Sequence, residues 1–324
     1  MTTLKDIINQ GNGTSFYDLI VLVNSVEKRL TQTNDTYYHL ILADKDISIP
    51  AKVWPDSINF VPVNNLKQGD VIKISGTVNI YNGNTQLIID KGVILHEGEY
   101  DESILFPLSS LQIKKLYQEL LILIESVKNQ KLRNTLQLIF TDKTIKDKFI
   151  SAPGGEIIHH AYKGGLLEHT LEVADIALSI YKHYQDLCNK DIIIAGALLH
   201  DIGKIFEYNI KTKERTLSGY LIGHIVLGMQ LFNKFWNNAE GDNDDNIRMQ
   251  VIHVILSHHT ELEYGAVVRP ATIEASIVAQ ADMASSTVKQ FAQEHIKINP
   301  DVNIGAYNKF IKTKVIKLPK VSEK

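Results

Sequence analysis

Residues 71–95, VIKISGTVNIYNGNTQLIIDKGVIL, read as two β-strands folded back on one another. On either side of Tyr81-Asn82-Gly83-Asn84 the chain is rich in Val, Ile and Thr, types that fit a pleated, half-buried surface. Asn and Gly accept the positive φ values of a tight hairpin, so this tetrapeptide is where the chain reverses. Toward the N-terminus, residues 16–26, 37–43 and 47–53 share that composition and are separated by turn residues. With 71–80 and 85–95 they make five expected strands in the first hundred residues. Five short strands in that length suit a small barrel, and the OB-type barrel is the commonest five-stranded one with a ligand-binding face.

The period changes after Leu111. Ile113, Leu116, Leu120, Leu123 and Val127 recur every three or four residues, which predicts an amphipathic helix. Further helices are expected at 132–140, 166–184, 192–202, 222–236, 247–258 and 273–295, with a polar loop at 240–246. The fold class is therefore α+β and multidomain. The expected division is a barrel over 1–100, a helical connector over 101–150 packing on an all-α domain over 151–300, and a basic tail over 301–324.

Composition narrows the setting. The chain has 324 residues, 44% hydrophobic and 22% charged, which is ordinary globular material for one large or two typical domains. Its single cysteine, Cys188, cannot form an internal disulfide, and a reducing cytoplasm fits. The N-terminus lacks a basic start followed by a long apolar stretch, and no apolar run is long enough for a bilayer, so neither a leader nor a membrane partner is expected. A net charge of −3 argues against a surface that grips polyanions everywhere. The tail from Lys309, with Lys312, Lys314, Lys317, Lys320 and Lys324 against Glu323, is the exception and reads as a solvated, frayed terminus.

Nine of the twelve histidines fall between His159 and His259. A lone His on a helix is usually a packed or surface residue, and His183 and His295 are read that way. His200-Asp201 is different, because it ends the apolar run Ile-Ile-Ile-Ala-Gly-Ala-Leu-Leu. A buried Asp is costly unless it is paired or holds a metal. His169 lies in a helix whose Leu167, Leu171, Ala174 and Leu178 are expected to face a core, and Asp282 is set among Ala279, Ala281, Met283 and Ala284. A metal centre would satisfy these four groups together. Imidazole and carboxylate without thiolate suit Mn, Fe, Zn, Co or Ni, and a carboxylate able to bridge points to two ions, the arrangement of many phosphoesterases.

The order His169, then Leu199-His200-Asp201-Ile202-Gly203-Lys204, then His224, then Ser257-His258-His259, then Asp282 resembles the HD superfamily of metal phosphohydrolases. Residues 159–170, HHAYKGGLLEHT, and Ser257-His258-His259 followed by Glu263-Tyr264-Gly265 are similar to the YhaM-type 3′-to-5′ exoribonucleases, which join an OB-fold to an HD domain. The resemblance implies that His169, His200, Asp201 and Asp282 hold one ion, that Asp201 bridges, and that His224 and His258 hold the second. Two divalent ions are implied, manganese first, with cobalt, iron, nickel or magnesium as alternatives. His259 is a ligand, a supporting residue or a phosphate contact; adjacent helical residues point about 100° apart, so both neighbours reaching one ion is geometrically demanding. His253, one turn before Ser257, is a further candidate ligand or a packed residue.

Asp201, Lys204 and His160 are the expected catalytic residues. Lys204, His160, Ser257 and Tyr81 are the expected substrate contacts. Lys204 reaches a phosphate oxygen or is an ordinary lysine at a helix end; His160 donates to substrate or supports the site. Glu168 and Glu274 read as surface or supporting residues. Ala266-Val267 stand where the family usually has Ser-Pro, and Ala279 and Ser285 where it usually has a His and a second Asp. The implied activity is hydrolysis of single-stranded RNA from the 3′ end to mononucleotides, with single-stranded DNA as a further substrate and self-association both left open. Phe16, Tyr17, Tyr37, Tyr38, Trp54 and Tyr81 are candidate stacking platforms, although residues 1–100 carry eight Lys or Arg against eleven Asp or Glu. That acidic balance favours the alternative, a nucleotide or cyclic-nucleotide phosphohydrolase with a regulatory OB-like domain.

Overall fold

In the computed structural model, which describes residues 3–31, 33–45, 47–81, 84–96, 98–106, 108–155, 162–209, 214–298, 303–309 and 311–318, the chain divides into two compact units, Met1–Leu111 and Gln112–Lys324. The first opens with a short helix α1 (Leu4–Ile8), capped by the Thr3 side chain, and continues as β1 (Ser15–Leu30), β2 (Thr36–Ala43), β3 (Ser48–Val53), β4 (Val71–Tyr81) and β5 (Asn84–Leu95). A short helix α2 (Glu102–Leu105) follows. The strands close in the order β1-β2-β3-β5-β4, with β3 and β5 parallel and the other pairs antiparallel. That is the five-stranded OB-type barrel expected from the sequence.

Alternation explains the interior. Val21, Leu40, Leu42, Val53, Ile72 and Leu87 come from successive inward positions and are fully buried. β1 is longer than the expected 16–26 because Glu27, Lys28 and Arg29 continue the ladder with β2 while facing solvent. Register shifts between Phe16 and Leu19 and between Val23 and Ser25 bend it, so one strand pairs with both β2 and β4. Gly76 sits at a matching irregularity in β4, where a Cβ would meet the Ile88 carbonyl oxygen at 1.9 Å. Asn82 and Gly83 of the expected turn lie outside the described residues; the flanking Tyr81 and Asn84 are the last pair of the β4–β5 ladder.

The second unit is helical: α3 (Ser110–Glu125), α4 (Gln130–Thr141), α5 (Lys143–Phe149), α6 (Gly165–Tyr184), α7 (Lys190–Leu199), α8 (Lys204–Glu207), α9 (Leu217–Leu221), α10 (His224–Asn238), α11 (Asp245–Ser257) and α12 (Ile273–Lys297). α7 is the centre. Every residue from Asp191 to Leu199 is buried, and α6, α11 and α12 pack around it. The inward stripe of α6 is Leu166, Thr170, Val173 and Ala177 together with Leu167 and Ala174; Leu171 and Leu178, expected in the core, are only half-buried. The two acids at the start of α7 and α12 tie helix ends together. Asp191 accepts from the Lys128 and Asn129 amides, and Glu274, expected to be a surface or supporting residue, accepts from the Asn189 amide.

Part of the tail, read from sequence as a frayed terminus, is ordered into a strand, while residues 319–324 lie outside the described residues. β6 (Ile304–Asn308) and β7 (Thr313–Ile316) form an antiparallel pair that contacts α12, and Val315 is buried. One buried valine among solvent-facing lysines is a weak signal in sequence. Among the described residues no helix is long and apolar enough to cross a membrane.

Candidate metal centre

Five helices of the second unit bring their chemistry to one point. α6 carries His169, His200 and Asp201 directly follow α7, α10 begins with His224, His258 and His259 directly follow α11, and α12 carries Asp282. Gly203 sets the approach between two of these segments: a Cβ there would meet the His224 carbonyl oxygen at 1.9 Å and the Gly228 amide nitrogen at 2.6 Å. Only a glycine lets the turn after His200-Asp201 lie on the backbone of α10.

Asp201 is 3% exposed and stands at the middle. Its Oδ2 is 3.6 Å from His169 Nε2 and 3.4 Å from His200 Nε2; its Oδ1 is 3.4 Å from His224 Nε2 and 3.6 Å from His258 Nε2. Each carboxylate oxygen thus faces two imidazoles. Asp282 Oδ1 adds a second carboxylate 3.1 Å from His169 Nε2. His258 and His259 lie with ring centroids 4.3 Å apart, and His259 is 5.2 Å from the His224 ring. The obstacle anticipated for neighbouring helical residues is removed because α11 stops at Ser257 and Thr260 turns left-handed at φ 64°.

The opposite nitrogens are all engaged. Nδ1 of His200 meets the Ala197 carbonyl, Nδ1 of His258 the Ile255 carbonyl, and Nδ1 of His259 the Tyr264 carbonyl, each at 2.8 Å. His224 Nδ1 is 2.9 Å from Glu207 Oε2, and His169 Nδ1 is 3.1 Å from Ser285 Oγ. A carbonyl accepts only, so in the first three Nδ1 carries a proton; burial keeps His258 and His259 low, so their Nε2 lone pairs point inward, whereas at His200 the neighbouring Asp201 carboxylate outweighs burial and raises the ring. Fixing the tautomer through the distal nitrogen is how metal-binding histidines are held in orientation.

Asp201 Oδ1, His224 Nε2 and His258 Nε2 are buried and make no hydrogen bond. Three converging buried polar atoms without hydrogen-bond partners are costly, and a cation among them would satisfy all three. Two sets of ligand atoms lie close enough to share an ion: His169, His200 and Asp201; and Asp201, His224, His258 and His259. The cluster can hold metal ions, and Asp201 is common to both sets.

Electrostatics agree. Burial alone would raise the Asp201 carboxyl, but Lys204 and His200 hold it well below the usual range. Burial lowers His169 and His258, and lowers His259 to about 4 with help from neighbouring His258, which keeps these rings neutral near pH 7. Neutral imidazole is the form that binds a metal.

Some expected residues stand elsewhere. Lys204 Nζ is 2.6 Å from Asp201 Oδ2 and 2.5 Å from the Gly154 carbonyl, so it holds Asp201 at the wall of the cavity over the centre. Ser257 is fully buried and donates to the His253 carbonyl at 2.6 Å; it packs the end of α11 and is no substrate contact. His253 accepts from the Ala271 amide at 2.8 Å, which turns it toward the chain leading into α12 and away from the ligand sets. Met283, expected in apolar surroundings, is 42% exposed and lines the cavity at the centre. His160 lies outside the described residues. Glu168 accepts from the Tyr162 hydroxyl and lies 3.4 Å from Lys289 Nζ.

Glu207, Arg215 and Glu172 escaped the sequence reading. Glu207 is buried and holds His224, with Arg215 3.1 Å away on its other oxygen. Ser285 stands where the family usually has a carboxylate and donates to Glu172 Oε2 at 3.0 Å, so a hydroxyl and a carboxylate together support His169. The only signal for Glu207 was an acid shortly after His200-Asp201, with no apolar run to mark its burial.

On the barrel, Tyr37 and Trp54 lie with ring centroids 5.0 Å apart, and Lys52 Nζ stands 5.1 Å from the Trp54 ring and 5.6 Å from that of Tyr81. Tyr17 and Tyr81 are exposed, whereas Phe16 and Tyr38 belong to the barrel core and cannot be stacking platforms.

The fold and the centre define a class: an OB-type barrel followed by a helical HD domain with a shared-carboxylate histidine cluster. Residues 166–286 match the HD domain family. Along most of its length the chain resembles the 3′-5′ exoribonuclease YhaM of Geobacillus sp., with 26% identity over 289 residues, 87% of this chain and 86% of that protein. It is also similar to the 3′-5′ exoribonuclease YhaM of Oceanobacillus iheyensis, 24% identical over 291 residues and 88% of each chain. Among solved structures, the second OB-fold domain of replication protein A from Methanococcus maripaludis overlaps 26% of this chain and 86% of its own, at 18% identity and a TM-score of 0.20.

Proposed function

We propose that this protein is a metal-dependent 3′-to-5′ exoribonuclease that hydrolyses terminal phosphodiester bonds of single-stranded RNA, and of single-stranded DNA, releasing mononucleotides. The observation that carries the reading is the pairing of two imidazole Nε2 atoms with each oxygen of Asp201, beside Asp282. His169, His200, Asp201 and Asp282 would hold one divalent ion. Asp201, His224 and His258, with His259, would hold another. Bound there, such ions make a water nucleophilic and draw charge off the leaving oxygen. Carboxylate donors suit manganese and magnesium and imidazole donors suit iron, cobalt and nickel, so the mixed set accepts manganese, the ion chosen for the test, or any of the others.

The chain's own residues organise the site. Lys204 keeps Asp201 anionic and in place, Glu207 and Ser285 fix the His224 and His169 rings, and the helix-end carbonyls fix the His200 and His258 tautomers. A cavity of about 330 Å³, lined among others by Asp201, Arg215, His259, Tyr264 and Asp282, lies over the centre. This is near the lower end of ligand-pocket volumes, which suits one strand end and not a duplex. The Tyr37, Trp54 and Tyr81 rings with Lys52 support a single-strand contact on the barrel, since every base has a face to stack. The relatives named exoribonucleases support RNA as the substrate.

The test is purified protein with Mn²⁺ and 5′-labelled RNA and DNA strands, with free or blocked 3′ ends. Stepwise shortening from a free 3′ end, lost in Asp201→Ala, is the expected result. No shortening, with turnover of free nucleotides or cyclic nucleotides instead, would transfer the assignment to a nucleotide phosphohydrolase.

A further inference from the structure

Beside the metal centre the chain forms a short finger. Tyr208 and Arg215 face each other in an isolated antiparallel bridge, the Asn209 amide donates to the Glu214 carbonyl, and the Thr216 amide donates to the Glu207 carbonyl. The finger therefore starts at Glu207, the residue that holds His224. Its Arg215 lies in the wall of the cavity over the centre, together with Tyr208.

We propose that Arg215 binds a non-bridging phosphate oxygen of the strand end, an inference that rests on the phosphodiester reading of the site. The two lysine or arginine side chains in the wall of that cavity, among the described residues, are Lys204 and Arg215. Lys204 is 12% exposed and held by Asp201 and the Gly154 carbonyl, whereas the Arg215 side chain is 35% exposed. An anion entering the cavity therefore meets Arg215 first. Its guanidinium is pre-positioned: Glu207 Oε1 lies 3.1 Å from Nη2, and the rings of Tyr208 and Tyr220 stand 5.7 Å and 5.5 Å from Cζ. Aromatic faces and the Glu207 carboxylate hold a planar fork in one orientation, and such a fork matches two phosphate oxygens where an ammonium matches one point. The contact is to phosphate and not to a base edge, so it serves any terminal nucleotide.

The same bond to Glu207 gives a competing role, in which Arg215 only steadies His224. The experiment separates them with the full-length, manganese-loaded protein in wild-type, Arg215→Lys and Arg215→Ala forms. Manganese content and thermal melting are measured first. Arg215→Ala is then expected to raise KM for an oligoribonucleotide roughly tenfold to a hundredfold, the usual worth of a hydrogen bond to a charged group. Its kcat stays within about threefold, because an interaction made equally in ground and transition states is removed. Calorimetric titration with AMP is expected to show the same weakening, and Arg215→Lys falls between. Unchanged KM and AMP affinity overturn the proposal, as does a loss confined to kcat with reduced manganese content. The AMP arm does not depend on turnover. If the wild type fails to shorten RNA, the exonuclease reading fails, while a weakened AMP affinity in Arg215→Ala still supports the phosphate site.

Discussion

Asp201 works because of what surrounds it. A carboxylate with 3% exposure would ordinarily be neutral or rare, yet here Lys204 and His200 keep it ionised and four imidazoles aim at its two oxygens. The residues behind the imidazoles matter for the same reason, since a ring free to rotate or to switch tautomer is a poor ligand. Glu207→Gln keeps the shape but replaces one carboxylate oxygen by an amide, and it removes the charge that Glu207 sets beside Arg215. Metal affinity is expected to fall roughly tenfold to a hundredfold, the usual cost of losing such a support, and a Mn²⁺ titration of chelator-stripped protein reads it directly. Ser285→Ala removes the link from His169 to Glu172 and is expected to weaken binding less, because Asp282 still faces the other ring nitrogen at 3.1 Å. Equal losses in the two variants would mean that the supports do not act ring by ring. His169, His200, Asp201 and Asp282 were legible in sequence because each sits in or at the end of an apolar helix, whereas His224 and His258 were singled out by the family resemblance. Glu207, Glu172 and Arg215 were not, since an isolated acid or arginine in a polar stretch looks the same whether it faces solvent or a ring nitrogen.

At the scale of elements, periodicity served well where one face is buried and poorly where burial is local. The five barrel strands and the long helices followed from spacings of two and of three to four. α1, α2, α5, α8 and the 3₁₀ turn Pro55–Phe60 are too short to show a period, and the β6–β7 pair offers one buried residue. Side-chain direction within a helix was less legible than the helix itself, as Leu171 and Leu178 show. Glycines carry information of another kind, because they mark where two backbones touch. Gly203→Ala would drive a Cβ into the His224 carbonyl and the Gly228 amide, and both segments carry ligands. The expected cost is about 1–3 kcal/mol of stability or more, as for other overpacked sites. Thermal melting checks the cost, and metal analysis of the folded fraction should show a loss of bound ion as well. A variant with unchanged melting and full metal content would mean that the α7–α8 turn does not govern the approach to α10.

On the proposed function, metal binding and strand binding fall in separate units, and this gives a thermodynamic signature. Every proposed metal ligand lies in Gln112–Lys324, while the Tyr37, Trp54, Tyr81 and Lys52 cluster lies in Met1–Leu111. A ligand that binds only the folded form stabilises it by about 2.7 kcal/mol at a concentration one hundred times its Kd. Chelation of the full-length protein should therefore lower the melting of the helical unit and leave that of the barrel in place, seen by calorimetry as one transition moving while another stays. Replacing Tyr37, Trp54 and Tyr81 together by Ala should do the converse for function. Each stacked base lost costs about 1–3 kcal/mol, so KM for a long strand should rise steeply, whereas turnover of a dinucleotide and the bound metal should not change. Length dependence is the deciding readout, because misfolding of the barrel would also weaken long substrates. Circular dichroism and the chelation-insensitive transition must therefore match wild type before the comparison is made. If dinucleotide and long-strand kinetics fall together, the barrel supports the helical unit's stability and does not hold the strand.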